Sequence, residues 1–242
     1  MGTEERRRRQ FAEREQLFLD TAHELIHEHG LLSLQMARIA EKCEYAVGTL
    51  YQHFASKEDL LLALTTAQTS EHVDLFQRVA RWDAPARDRM FAIGVADMIF
   101  VRRHPDHFRV SQYALCEVVW RASSPERRED FLAACDPIAD IVVDIVNDAV
   151  AAGDLKIDGL TPSEITTGLW VLVNGTHNLV HAEGVLDDFE VRDPYRLMCR
   201  HMQVMLNGYQ WRPLVDPGDD KALDRLIKRI KNEVFHDVCK GN

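Results

Sequence analysis

The chain has 242 residues, 46% hydrophobic and 28% charged, enough apolar material for a sizeable core, which excludes disorder over most of its length. Its net charge of −10 excludes a surface uniformly basic for nucleic acid, and residues 1–60 are themselves net acidic, so any nucleic-acid contact must rest on local placement. No apolar run approaches the roughly 20 residues of a membrane helix, and the charged N-terminus has no apolar stretch behind it, so a cytoplasmic protein without a secretory signal is expected.

Taken in chain order, the elements are helical. The basic run Arg6–Arg9 comes first, as either a flexible arm for phosphate or minor groove or a solvated terminus. A helical period then places Phe11, Phe18, Ala22, Leu25 and Ile26 on one face, and Gly30 suits its C-cap. Met36, Ile39, Ala40 and Cys43 make a short second helix, and 47–54 a third. Ser56 opens a long fourth helix, with Asp59 at the capping-box position. Later starts carry proline near a cap: Pro85, Ser124-Pro125, Thr161-Pro162 and Asp193-Pro194. His104, Asp106 and His107 fall in an expected loop. Pro213 and Pro217 precede a last amphipathic helix, about 221–238. No period-2 strand, internal repeat or low-complexity tract is found. The expected fold is all-α: a three-helix helix-turn-helix domain over 1–66, then a larger helical bundle over 67–242.

The informative stretch is 36–60. Two short helices joined by a tight turn fit a helix-turn-helix, with Ile39, Ala40 and Leu50 packing the pair. That leaves Val47, Gly48, Thr49, Tyr51, Gln52 and His53 outward. Gln52 suits paired hydrogen bonds to a base edge, and Thr49 a base or phosphate. Tyr51 and His53 offer donors to phosphate, and Gly48 lets the backbone approach closely. Gln35, just before the second helix, is a further contact candidate. Lys57 adds charge where free helix N–H groups attract phosphate.

On these residues the sequence resembles the tetracycline-repressor (TetR/AcrR) family of bacterial regulators. The matching positions are Ile39-Ala40, Val47-Gly48-Thr49-Leu50-Tyr51, His53-Phe54 and Ser56-Lys57-Glu58-Asp59-Leu60. The resemblance is strongest over about 10–65. It implies an all-helical dimer with an N-terminal DNA-binding domain and a C-terminal effector domain, in which the next-to-last two helices of the core bundle pair with their copies. Two departures stand out. The family's turn holds glycine where this chain has Glu44, so Glu44 must carry positive-φ strain or the turn must differ. Ala46 replaces the usual small polar cap, a loss of roughly 0.5 to 2 kcal/mol.

Under that implication the pairing helices are 162–182 and 194–207, with Trp170, Gly175, Leu179, Met198, Met202 and Met205 as interface candidates. The effector pocket falls within 86–182. Candidate lining residues are Phe91, Met98, Phe108, Tyr113, Trp120, Phe131, Trp170, Asn174 and His177, a mostly apolar set suited to a small hydrophobic or aromatic molecule. His177 and His181, His23 and His27, and Asp140, Asp144 and Asp148 each repeat at helical spacing, but none completes a metal-ligand set. The five cysteines (Cys43, Cys116, Cys135, Cys199 and Cys239) are odd in number and form no CxxC, so reduced thiols are expected. No catalytic motif appears and no cofactor is implied. The reading is a dimeric repressor released from a palindromic operator by its effector. The alternative is a helical-bundle binding protein or enzyme whose helix-turn-helix does not bind DNA.

Overall fold

The computed structural model describes residues 2–238; Cys239 lies outside them. Its helices are α1 (Thr3–His29), a 3-10 turn (Leu31–Ser33), α2 (Met36–Lys42), α3 (Val47–Tyr51), α4 (Lys57–Ala67), α5 (Thr69–Ala80), α6 (Ala86–Arg103), α7 (Pro105–Ala114), α8 (Glu117–Ala122), α9 (Pro125–Ala151), α10 (Pro162–His181), α11 (Val185–Asp188), α12 (Pro194–Gly208) and α13 (Asp220–Glu233). No strand occurs among the described residues. They divide into two compact units, 2–69 with 104–134, and 70–103 with 135–238. The return of 104–134 to the first unit is a long-range event that a linear division does not express.

In the first unit, α1 to α4 share a core of Phe18, Ala22, Ile39, Ala40, Leu50, Phe54 and Leu60, all fully buried. Burying a large apolar side chain of this kind contributes about 1.5–3 kcal/mol. Helix α7 lies on α4, and α8 touches both. The Asp106 carboxylate joins α7 to α1, 2.7 Å from His27 Nδ1 and 2.7 Å from Arg109. The expected loop at 104–107 is therefore the start of a helix: His104 is its N-cap and Pro105 occupies its first turn.

Arg6–Arg9 lie within α1 rather than in a loose arm. Arg8 pairs with Glu4 at 3.3 Å and Arg9 with Glu13 at 3.3 Å, one helical turn apart. The expected long fourth helix is two helices, with Gln68 between α4 and α5. The Thr65, Thr66 and Thr69 hydroxyls each donate to a carbonyl one turn back, a back-bonding that bends helices.

In the second unit α6 is buried along most of its length and packs against α10, α12 and α13. A Cβ at Gly94 would meet the end of the Met202 side chain at 2.5 Å, so glycine leaves the space that this methionine fills. Arg87 is fully buried, with its hydrogen bonds made to carbonyl and amide oxygens and the Asp88 carboxylate near enough to favour its charge. It donates to the Trp211 carbonyl, to Gln203 Oε1 at 2.7 Å and to Asn207 Oδ1 at 2.9 Å. Burial pulls its pKa down to about 10, which leaves it charged at neutral pH. The starts read at Thr161 and Asp193 are capped as expected, Thr161 in a complete capping box.

The described cysteines are free thiols. Cys199 is buried and the other three are half-buried. Burial pushes Cys135 and Cys199 each up to about 11, so neither is reactive at neutral pH.

Candidate nucleic-acid interface

Helices α2 and α3 meet through Ile39, Ala40 and Leu50, which fixes the outward face of α3. Val47 is 38% and Tyr51 49% exposed, Gly48 and Gln52 are also exposed, and Thr49 is half-buried. A Cβ at Gly48 would meet nothing within 4 Å, so glycine there serves no packing inside the chain. Gln35 is exposed at the N-cap of α2. Lys57 opens α4, where Ser56 Oγ accepts from the Asp59 N–H at 3.0 Å. These positions leave hydroxyl, amide and ammonium groups accessible on α3 and at the starts of α2 and α4.

His53 does not belong to that surface. It is 6% exposed, stacked on Phe11 at 3.8 Å and edge-on to Phe18 at 5.3 Å, with Nδ1 3.4 Å from Glu15. The apolar face of α1 captures the ring, so the expectation of an outward phosphate donor is corrected. Burial pulls its pKa below the ordinary 6.5, against the hydrogen bond and charge of Glu15 and with the charges of Arg14 and Arg127. A histidine depressed on folding contributes stability above pH 6.5, which is lost as pH falls through its folded pKa. Wild-type chain is therefore expected to lose melting temperature more steeply below pH 6.5 than His53→Gln, followed by circular dichroism. Parallel curves would remove His53 from the account.

The turn between α2 and α3 carries the strain that its sequence requires. Glu44 has φ of 60°, in the left-handed region, and Ala46 caps α3 with no side-chain bond. Holding a non-glycine residue there costs about 1–2 kcal/mol. Glu44→Gly is expected to stabilise the chain by about 0.5–1 kcal/mol, the rest being offset by the freer unfolded glycine. It also removes an exposed carboxylate beside α3, so if that helix contacts DNA the affinity should rise a few-fold at low salt and less at high salt. Denaturant unfolding and a salt series read the two effects separately.

The candidate effector residues are divided between the units. Phe108, Tyr113, Trp120 and Phe131 lie in the first; Phe91, Met98, Trp170, Asn174 and His177 lie in the second. Tyr113 is 38% and Trp170 59% exposed, so neither sits in an interior. Trp120 and Phe131 meet edge-on at 6.0 Å. His177 is fully buried; its Nε2 lies 2.9 Å from Asp97 and its Nδ1 3.3 Å from the Tyr195 hydroxyl. His72 Nε2 lies 2.8 Å from the other Asp97 oxygen. Burial pushes the Asp97 carboxyl upward, but the hydrogen bonds of His177 and His72 outweigh it and hold the group well below the usual carboxylate range. His177 thus belongs to a buried hydrogen-bonded cluster with Asp97 and Tyr195, and His181 Nδ1 lies 2.8 Å from the His177 carbonyl. Among the described residues no group of three or more His, Cys, Asp or Glu side chains is arranged to hold a metal ion.

Of the interface candidates, Trp170, Gly175 and Leu179 are exposed along α10, while Met205 is half-buried. Met198 and Met202 are 1% and 2% exposed, turned into the unit's own core, where Met202 fills the space over Gly94. Val171, 60% exposed, and Val204, 53% exposed, also stand outward on α10 and α12 beside these candidates.

The sequence profile of the bacterial regulatory proteins, tetR family, matches residues 9–64, from α1 into α4. The fatty acid metabolism regulator protein of Bacillus subtilis (strain 168) is 23% identical over 173 residues, covering 67% of this chain and 86% of that protein. An HTH-type transcriptional regulator of Staphylococcus aureus is 31% identical over 72 residues, covering 30% of this chain and 39% of that protein. Among solved structures, FadR from Bacillus subtilis in complex with stearoyl-CoA superposes with a TM-score of 0.60 at 20% identity, covering 80% of this chain and 98% of that one. PfmR from Thermus thermophilus gives 0.57 at 16% identity, covering 78% and 97%. At these identities the structural likeness establishes the fold: an N-terminal helix-turn-helix followed by a larger helical bundle.

Proposed function

We propose, from the premise that this chain belongs to the tetR family of bacterial regulatory proteins, that it is a dimeric repressor released from operator DNA by a small hydrophobic effector. The observation that carries DNA binding is the division of α3: Leu50 is fully buried against α2, while Val47, Gly48, Tyr51 and Gln52 stand exposed together. Helix α3 enters the major groove, Gln52 and Thr49 meet base edges, and Tyr51, Lys57 and Gln35 meet phosphates. Two copies reading half-sites about 34 Å apart make the operator palindromic. The exposed apolar faces of α10 and α12 supply the contact between copies.

The effector acts by binding more tightly to a dimer state whose recognition helices do not match the operator. The buried aromatic and methionine side chains of α6 favour a hydrophobic molecule. The complex of FadR with stearoyl-CoA makes a long-chain acyl thioester the first candidate to test. Helix α9 contributes residues to both units and is a natural carrier of the response. No helix among the described residues is long and apolar enough to cross a membrane, and a regulator of this kind works in the cytoplasm.

The test selects a duplex from a random library with the full-length chain, then measures its affinity over a salt series with and without stearoyl-CoA. A steep fall of affinity with salt supports DNA binding. Release by the acyl thioester supports the effector class. A chain that enriches no duplex at low salt refutes the reading.

A further inference from the structure

We propose that Arg127, near the start of α9, is a positioning residue for the recognition helix: it holds the C-terminal end of α3 in place and thereby sets operator affinity without touching DNA. This rests on the DNA-binding reading above.

The argument begins with how poorly α3 is held otherwise. It has five residues, far below the length at which a helix sustains itself in water. Its N-terminal end has no side-chain cap and follows a strained turn at Glu44. Its fixed points are Leu50 against α2 and the His53-Phe54 end that follows it.

Arg127 closes on that end. One guanidinium nitrogen, Nη2, donates both to the His53 carbonyl at 3.0 Å and to Glu15 Oε1 at 2.9 Å. The other Glu15 oxygen lies 3.4 Å from His53 Nδ1, so a single carboxylate joins the arginine and the imidazole. The guanidinium carbon sits 5.2 Å from the centre of the Phe54 ring, within cation–π range. The Arg127 and Glu15 side chains are each 21% exposed, so the pair is far less screened than a surface ion pair.

A second fastening keeps the arginine in register. The Ser124 N–H, at the head of α9, donates to Asp59 Oδ1 at 2.7 Å, and Asp59 is 3% exposed. Asp59 thus serves two helices: its N–H meets the Ser56 cap of α4, and its carboxylate accepts the Ser124 N–H just ahead of α9. Arg127 lies one turn further on. Lysine's ammonium could donate to the same carbonyl and carboxylate, since Nη2 alone makes both bonds, but it lacks the planar head that lies against the Phe54 ring.

The duplex selected by the wild-type chain is the probe, and affinity is measured by fluorescence anisotropy over a salt series. Arg127→Ala is expected to weaken binding roughly tenfold, the scale of one lost charged hydrogen bond, with an unchanged slope of log affinity against log salt. Arg127→Lys should recover only part of the loss. Glu15→Gln should weaken binding less, and the double variant should cost less than the sum of the two. Hydrogen exchange without DNA should rise over residues 47–54 in Arg127→Ala and stay slow in α1 and α4.

A slope lower by about two, one phosphate contact at each half-site, makes Arg127 a phosphate contact and overturns the proposal. So does undiminished affinity, or full recovery with lysine. Should Arg127→Ala fail to fold, Arg127→Lys and Glu15→Gln decide on the same readouts. A wild-type chain that selects no duplex refutes the functional reading instead, and the exchange result still reports whether Arg127 holds α3.

Discussion

Replacing Tyr51 and Gln52 together with alanine is expected to weaken operator binding at least about a hundredfold while leaving the melting temperature unchanged. The two halves of this result have separate causes. A good base-edge pair contributes about 1–3 kcal/mol of discrimination, and in a dimer each substitution is made at both half-sites, so the DNA term is doubled. The stability term is small because both side chains are exposed and neither enters the Phe18–Ile39–Leu50 core. The single variants separate the roles. Gln52→Ala should relax sequence preference at one position of each half-site. Tyr51→Ala, as a neutral phosphate donor, should weaken all duplexes alike with little change in salt slope. Anisotropy on the selected duplex and on a scrambled one, with a circular dichroism melt of each variant, reads every term. If the double variant binds as tightly as the wild type, α3 is not the reading helix.

The parts of this site that were legible in the sequence are those set by short-range chemistry. The Ser56 cap, the Gly30 helix end and the Thr161 capping box are decided by neighbours within four residues, and each stands where the spacing places it. Glu44 was legible for the same reason: a turn that requires positive φ requires it whatever residue occupies the position. His53 was not legible. Its position on α3 faces outward by periodicity, but the helix ends at Tyr51, and the ring turns onto Phe11 and Phe18 of α1. Arg127 gave no signal, because Glu15 and His53 lie 112 and 74 residues away in the chain. Asp59 was half legible: its cap bond is local, whereas the Ser124 N–H that its carboxylate accepts is 65 residues distant. Likewise Met198 and Met202 read as an outward stripe on α12 until Gly94 of α6 leaves room for Met202 beneath them.

That inward turn moves the expected contact between copies onto a different set of atoms. It makes Trp170 the residue whose loss should matter most. Trp170 and Val171 are 59% and 60% exposed, with Leu179 further along the same helix and Val204 on the neighbouring α12. Large exposed apolar side chains are costly to leave in water, and where they group they mark interfaces, which makes these residues the candidates for one. Gly175 adds an independent argument. Glycine inside a helix costs about 0.5–1 kcal/mol relative to alanine, and here an added Cβ would meet nothing within 4 Å of its own chain. Close approach of a second α10 would give that glycine a use. Trp170→Glu is therefore expected to convert the dimer to a folded monomer at micromolar concentration. It removes an aromatic anchor and, under two-fold symmetry, sets two carboxylates against one apolar surface. Gly175→Leu should do the same by steric bulk alone, with helicity retained. Operator affinity should fall with dimerisation in both variants, since each half-site is then bound without the other. Sedimentation velocity and anisotropy on the same samples test this. A Trp170→Glu chain that sediments as a dimer places the interface elsewhere, and a monomer that still binds the full operator tightly refutes the need for paired recognition helices.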